Sequence, residues 1–336
     1  MTKGFRRWVP GARTLIIACA VALVPLFLWR SGLGAIRSEL ARLGPESVLI
    51  LLPYACGTAL SGLPWASLFT KSPAPSLREA VVSRFAASGA NSLVPFLGVA
   101  GEASRLLWLP IVARAEGTAA LAMDRLLYNF AGGLLLLAGA AVAFSTRLDR
   151  WICLLAAGTA AALLGLVVLA FFLLSRHGLG GRGQRWLRRL AGSAQGEGDF
   201  GADVDAALRA LCRQHRRLLG ALSIHLVARA VTSLEVYVAL WSLHAPTSFR
   251  DATVLATVPV ATAFLAFTIP SQVGVQEGTQ ALITAALGHG PALGLVLVLL
   301  QRGRQLVFVP LTPLLIALAR PRHAKRTASS VHQYGQ

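Results

Sequence analysis

A pattern in which a glutamate follows a proline seven positions later occurs twice in this chain, about half a chain apart. Pro95, Phe96, Leu97, Gly98, Val99, Ala100, Gly101 and Glu102 return as Pro270, Ser271, Gln272, Val273, Gly274, Val275, Gln276 and Glu277. Both copies interrupt long apolar runs. A helix breaker and a carboxylate are costly there unless the backbone lines a cavity or is buried in protein. Paired breaks in matching places of two halves point to a binding site at the midplane of a membrane transporter.

The runs themselves are long enough to cross a bilayer. Of 336 residues, 55% are hydrophobic and 14% charged, and several apolar stretches match the roughly 20 residues needed to span about 30 Å of hydrocarbon. An all-α polytopic membrane protein follows. Six crossings are expected, at about residues 14–30, 48–69, 125–146, 151–174, 218–243 and 291–319. Trp29, Trp65, Trp151 and Trp241 stand near their ends, as in an interfacial belt. Lys3, Arg6, Arg7 and Arg13 precede the first run as they do in a signal peptide, but Arg30 closes the run with no small-residue cleavage site. That run is therefore read as a span. Regions 80–115 and 252–289 hold the repeated motif, and each is long enough for two half-crossings around a break.

The net charge of +18 does not indicate nucleic acid, because the arginines lie between apolar runs and at the two ends. They report topology instead. The stretch from Arg176 to Arg217 carries nine arginines, and Arg320, Arg322, Lys325 and Arg326 follow the last run. Both segments belong in the cytoplasm, as does the N-terminus, with anionic inner-leaflet lipid facing the basic loops. The expected place is a bacterial cytoplasmic membrane. Parity then requires region 80–115 to leave from and return to the cytoplasm, and region 252–289 to open to the exterior. Two oppositely oriented re-entrant hairpins form an inverted repeat within a single transmembrane domain, 1–326, whose halves are 14–174 and 218–319. A basic tail, 320–336, follows.

Between the halves, 175–217 reads as a basic cytoplasmic connector lying on anionic lipid. Its Gly178, Gly180, Gly181 and Gly183 follow a span and not a strand, so a dinucleotide site is not indicated. Asp203 and Asp205 read as acids at a helix start. Cys19, Cys56, Cys153 and Cys212 are scattered and suggest small apolar packing residues, with neither a metal nor a disulfide framework. No cofactor is expected.

Charges inside the apolar runs are the candidate site. Arg229 and Glu235 fall within the fifth run, and Arg302 and Arg304 near the middle of the sixth. An arginine there costs about 2.5 kcal/mol or more on insertion scales, so each must face a partner or water. One reading is an internal ion-pair network, for instance Glu277 with Arg302. The other is a polar path whose guanidinium forks hold a lipid phosphate. Arg105 and Arg125 are expected nearer an interface. Glu102 and Glu277 follow their breaks at the first turn of a half-helix, where the macrodipole favours a carboxylate by about 0.3–1 kcal/mol. A gating or proton-carrying role is the alternative. Gly98, Gly101 and Gly274 allow tight turns and close approach of a headgroup.

At these residues the chain resembles the lysylphosphatidylglycerol synthase transmembrane-region family, also called flippase-like membrane proteins. Ser83, Arg84 and Phe85 through Asn91 to Pro95, then Gly98 to Glu102 and Arg105, resemble its first signature. Ile269 and Pro270 through Glu277, then Gly288 and Arg302, resemble the second, and Met123 to Leu126 the start of a middle span. Ala100 and the pair Gln272 and Val273 stand where the signatures usually have glycines. The resemblance implies a multi-span bundle that moves phospholipids or related lipids between leaflets. In full-length synthases a separate soluble domain transfers the amino acid. These 336 residues hold no such stretch, so aminoacyl transfer is not expected and the chain is read as a non-enzyme.

Three classes of function follow. The first is a flippase-like transporter of a phospholipid or related anionic or isoprenoid lipid, with Pro95, Gly98, Gly101, Glu102, Arg105, Arg125, Arg229, Pro270, Gly274, Glu277 and Arg302 binding or gating. The second is a non-transporting partner subunit of an envelope lipid or glycan enzyme. The third is a membrane-embedded transferase, which needs clustered aspartates for divalent metal. The motif suits any phosphate or small headgroup, and no P-loop pattern for ATP is present.

Overall fold

The computed structural model describes residues 37–38, 41–70, 73–93, 99–146, 148–178, 200–245, 248–266, 272 and 274–318. The expected first crossing, the prolines of both motif copies, Gly98, most of the connector and the basic tail lie outside these residues. Every regular element described is helical: α1 Leu51–Ser67, α2 Leu77–Leu93, α3 Val99–Ser104, α4 Arg114–Ala143, α5 Arg150–His177, α6 Phe200–Cys212, α7 His215–Ser242, α8 Phe249–Thr257, α9 Pro259–Leu265, α10 Val275–Ala286 and α11 Pro291–Leu318. Short 3-10 turns, Pro45–Ile50, Arg105–Trp108 and Ile111–Ala113, join some of them.

Among the described residues four stretches are long and apolar enough to cross a membrane: Pro45–Ser67, Arg114–Ala143, Arg150–His177 and His215–Ser242. They coincide with four of the expected crossings, and α11 covers a fifth. One boundary differs markedly. α4 begins at Arg114 and not near 125, because an apolar run marks the hydrocarbon layer and not the whole helix. Its polar first turn is tied down by Glu116, which accepts hydrogen bonds from Thr70 N at 2.5 Å and Thr70 Oγ1 at 2.7 Å. The outer side of α5 exposes Trp151, Leu154, Leu155, Leu166, Leu169 and Phe172. An apolar face of that extent suits lipid and not water.

The ends of α1 and α7 establish the frame. Arg217 at the start of α7 donates to the carbonyls of Ser67 and Phe69 just past α1. At the other end His244 Nε2 stands 3.5 Å from Glu46. The two helices therefore run antiparallel along their length. Trp65 Nε1 also donates to Gly117 O at 3.3 Å, so the start of α4 lies beside the finish of α1. Residues 71–113 thus leave and return at one end of the bundle. His289 and Asp251 meet at 3.3 Å, so residues 252–288 leave and return at the end marked by Glu46 and His244.

The arms are unequal. α2 has 17 residues, a rise of about 25 Å against the roughly 15 Å that half a layer needs. The return is short, through α3 and the two 3-10 turns. It lies close on α2 because residue 101 is glycine: a Cβ there would stand 2.2 Å from Ala87 O. Gly101 N also donates to Asn91 Oδ1 at 3.0 Å. In the second region, Val258 ends α8 and Pro259 opens α9. Gly274 then begins α10 at φ 83, a left-handed conformation that glycine adopts without steric cost.

The connector is more than a lipid-facing strap. Its helix α6 buries Val204, Leu208 and Leu211 completely, in one cluster with Trp65, Leu68, Met123 and Leu218. Amphipathic spacing of those leucines turned a surface segment into a core element at the end where α1 finishes. A second apolar cluster at the opposite end gathers Leu136, Val236, Leu240, Leu255, Ile283 and Leu297. α4 and α7 pass through both clusters. Their stretches between Met123 and Leu136, and between Ala221 and Val236, carry the charges. α4 packs on α8, and α11 packs on α2, so the span that follows each motif region lies against the opening arm of the other half's motif region.

Candidate functional site

Glu102 of the first motif copy stands at the centre of an arginine cluster. Arg84 Nη1 of α2 donates to its Oε1, Arg125 Nη2 of α4 lies 3.3 Å from the same oxygen, and Arg105 Nη1 lies 3.3 Å from Oε2. The carboxylate is almost fully buried. Without these partners it would be neutral or unstable in such surroundings. Arg84 is held by Ser61 Oγ, which accepts from its Nε at 3.0 Å.

Arg105 is enclosed by protein on every side. Its side chain has no exposure at all. The 3-10 turn after α3 points it inward, where it meets Asp124 Oδ2 at 3.3 Å, donates to Gly62 O at 3.3 Å and lies over the Trp65 ring at 4.5 Å. Two carboxylates, a carbonyl and an aromatic face offset the loss of water. Arg125 is different. Its side chain keeps 37% of its exposure.

Asp124 and Tyr128, one turn apart on α4, tie the cluster to α7. His225 Nε2 stands 2.9 Å from Asp124 Oδ1, and the His225 ring meets Tyr128 edge-on at 5.5 Å. Arg229, one turn further along α7, lies over Tyr128 at 3.8 Å from the ring centre and donates to Tyr128 O at 3.5 Å. Arg84 and Arg125 also face that ring, at 5.6 and 5.4 Å. Among the described residues no carboxylate pairs with Arg229, and its buried Nε has no hydrogen-bond partner. Four guanidinium groups, of Arg84, Arg105, Arg125 and Arg229, thus share two carboxylates, those of Glu102 and Asp124.

The depth of this cluster follows from helix rise. Asp124 is ten residues into α4 and His225 ten into α7, which places each about 15 Å from its helix start.

The second motif copy makes a separate and smaller site. Glu277 Oε2 accepts from Gly274 N at 2.8 Å, closing the first turn of α10, and Oε1 pairs with Arg302 of α11 at 2.7 Å. Both readings of this glutamate, helix start and ion pair, are present in one side chain. Gln272, in the left-handed region at φ 49, donates from Nε2 to Ala263 O at 2.8 Å. Arg304, one half-turn past Arg302, pairs with Glu235 of α7 and lies over the Tyr54 ring of α1 at 4.5 Å. Between the two sites stands an aromatic group, with Phe308 of α11 against Tyr54 at 5.1 Å and stacked on Phe85 of α2 at 5.4 Å.

Of the residues expected at a site, Glu102, Arg105, Arg125 and Arg229 come together in one cluster, while Gly274, Glu277 and Arg302 form another. Gly101 positions the first. Pro95, Gly98 and Pro270 lie outside the described residues. Asp124, Tyr128 and His225 were not among the expected residues. Their signal was available: an acid and a histidine near the middles of long apolar helices are rare and need partners. No group of three metal-ligating side chains stands together among the described residues.

No curated protein and no solved structure matches this chain. Residues 13–312 match the family model described as the lysylphosphatidylglycerol synthase TM region. The chain therefore belongs to the lysylphosphatidylglycerol synthase transmembrane-region family of integral membrane proteins.

Proposed function

We propose that this protein is a flippase-like transporter that moves an anionic phospholipid or a related anionic or isoprenoid lipid between leaflets of the bacterial cytoplasmic membrane. One observation carries the reading: a buried cluster with more guanidinium than carboxylate groups lies between long apolar helices, beside the first motif copy. A structural ion-pair network has no need of surplus charge. A lipid headgroup crossing hydrocarbon does, because something must replace its water.

The inverted arrangement of the two motif regions is part of the proposal. In its favour, residues 71–113 and 252–288 return to opposite ends of the bundle, and the span that follows each motif region rests on the opening arm of the other. The ends that arginine counting assigns to the cytoplasm, those of α1, α4 and α7, are tied together by Arg217, Thr70 and Trp65. Alternating access then consists of one motif region rocking against the other around the buried charges. No catalytic step is assigned.

Reconstitution tests the reading. Liposomes containing the purified chain are expected to exchange a labelled phosphatidylglycerol between leaflets faster than protein-free liposomes, without ATP. Equal rates across several candidate lipids would favour a partner-subunit role.

A further inference from the structure

The geometry points to Arg125 and Arg229, both facing the Tyr128 ring, as the binding site for the phosphate of a lipid whose headgroup carries net negative charge. The inference rests on the transport reading and adds to it the two residues that take the phosphate.

Three features separate these two arginines from the rest of the cluster. Arg105 is wholly enclosed and saturated with two carboxylates and a carbonyl. Arg84 is committed to Glu102 and Ser61. Arg125, in contrast, reaches Glu102 only at 3.3 Å and stays 37% exposed. Arg229 has an aromatic face and one long hydrogen bond, with no carboxylate among the described residues. Its fork is therefore open to an acceptor.

Charge decides the class. Placed in the layer with four guanidinium groups against two carboxylates, a cationic headgroup would add to a surplus that already exists. A zwitterion would leave that surplus unchanged, whereas an anionic phosphate removes part of it. Arginine's planar fork also matches two phosphate oxygens at once. Residue 132 is glycine one turn beyond Tyr128, and a Cβ there would stand 3.0 Å from Arg229 Nη2. The absence of that carbon keeps the guanidinium unobstructed on the side of α4. As phosphate binds Arg125, Glu102 keeps Arg84 and Arg105, so the carboxylate is never left without a cation.

Native mass spectrometry of the purified full chain tests this with four probes: dioleoylphosphatidylglycerol, dioleoylphosphatidylcholine, dioleoylglycerol and glycerol 3-phosphate. Phosphatidylglycerol is expected to bind more tightly than the two lipids without net charge. Arg125→Gln and Arg229→Gln are each expected to weaken it about tenfold, the effect of one charge-assisted contact. Arg229→Lys, which keeps the charge and loses the fork, should fall between, and Arg213→Gln on the exposed turn after α6 should change nothing. Thermal melting of each variant identifies any that fails to fold, and Arg229→Lys then stands in for Arg229→Gln. Equal binding of phosphatidylglycerol and dioleoylglycerol, or of phosphatidylglycerol and phosphatidylcholine, overturns the inference. So does unchanged phosphatidylglycerol binding in folded Arg125→Gln and Arg229→Gln. Glycerol 3-phosphate competing at the affinity of the lipid keeps the phosphate site and assigns it to a soluble compound. If binding survives while leaflet exchange is absent, only the transport reading fails. Exchange of wild-type rate in Arg229→Gln with binding unchanged removes the site and leaves transport standing.

Discussion

Asp124 Oδ1 lies 2.9 Å from His225 Nε2, joining α4 to α7 at the depth where the two apolar clusters part. The same aspartate meets Arg105 through its other oxygen. One carboxylate thus holds two spans and one motif region in register.

Asp124→Ala is accordingly expected to destabilise the protein by about 3–5 kcal/mol, because it takes one of two carboxylates from a fully enclosed guanidinium. His225→Ala removes one side-chain hydrogen bond and is expected to cost about 1–2 kcal/mol. Thermal or denaturant unfolding in detergent gives both values. A smaller loss for Asp124→Ala than for His225→Ala would contradict the ranking.

Glycine positions give a second, purely steric expectation. Gly101→Ala drives a Cβ into the Ala87 carbonyl, whereas the same change at Gly165 on the outer side of α5 meets nothing within 4 Å. Overpacking at 101 should cost about 1–3 kcal/mol. Gly165→Ala should be neutral or slightly stabilising through helix propensity. Comparable melting temperatures for the two variants would argue against the close contact of α3 with α2.

Glu277 carries two roles that one substitution separates. Glutamine retains the hydrogen bond from Gly274 N and loses the charge opposite Arg302. Since Arg302 is about a third exposed, screening limits the stability change to about 1 kcal/mol. Leaflet exchange should slow more than stability falls. Wild-type exchange with wild-type melting would remove Glu277 from the transport path.

Topology is checked by single-cysteine labelling. Arg213→Cys should react from the cytoplasmic side and His244→Cys from the exterior, since those residues mark opposite ends of α7 and both are exposed. Native Cys212 should react slowly, because burial raises its thiol above the ordinary value and leaves less thiolate at neutral pH. Labelling of both introduced cysteines from one side would contradict the orientation.

The sequence made the helical class legible because apolar runs report the membrane directly, and five runs correspond to helices in the described residues. A helix start in the connector was legible at Asp203 and Asp205, but not the burial of its Val204, Leu208 and Leu211 in the core, which depends on helices distant in sequence. Of the site, Glu102, Arg125 and Arg229 were legible as charges in apolar surroundings, and the pairing of Glu277 with Arg302 followed from their shared layer. The partners of Arg105 were not legible because they are distant in sequence: Gly62 and Asp124 meet it only through the return of the first motif region. His225 and Tyr128 were missed for the same reason, since nothing local reveals that α4 and α7 face each other.

The most direct test of the central claim, that lipid crosses at the first charge cluster, is the rate at which dithionite reaches labelled phosphatidylglycerol originally in the inner leaflet of proteoliposomes. Wild type and Arg213→Gln are expected to give equal rates above protein-free liposomes, with Glu102→Gln and Arg125→Gln slower by about tenfold, a barrier change near 1.4 kcal/mol. Exchange at the wild-type rate in both cluster variants, with both folded, would contradict the account.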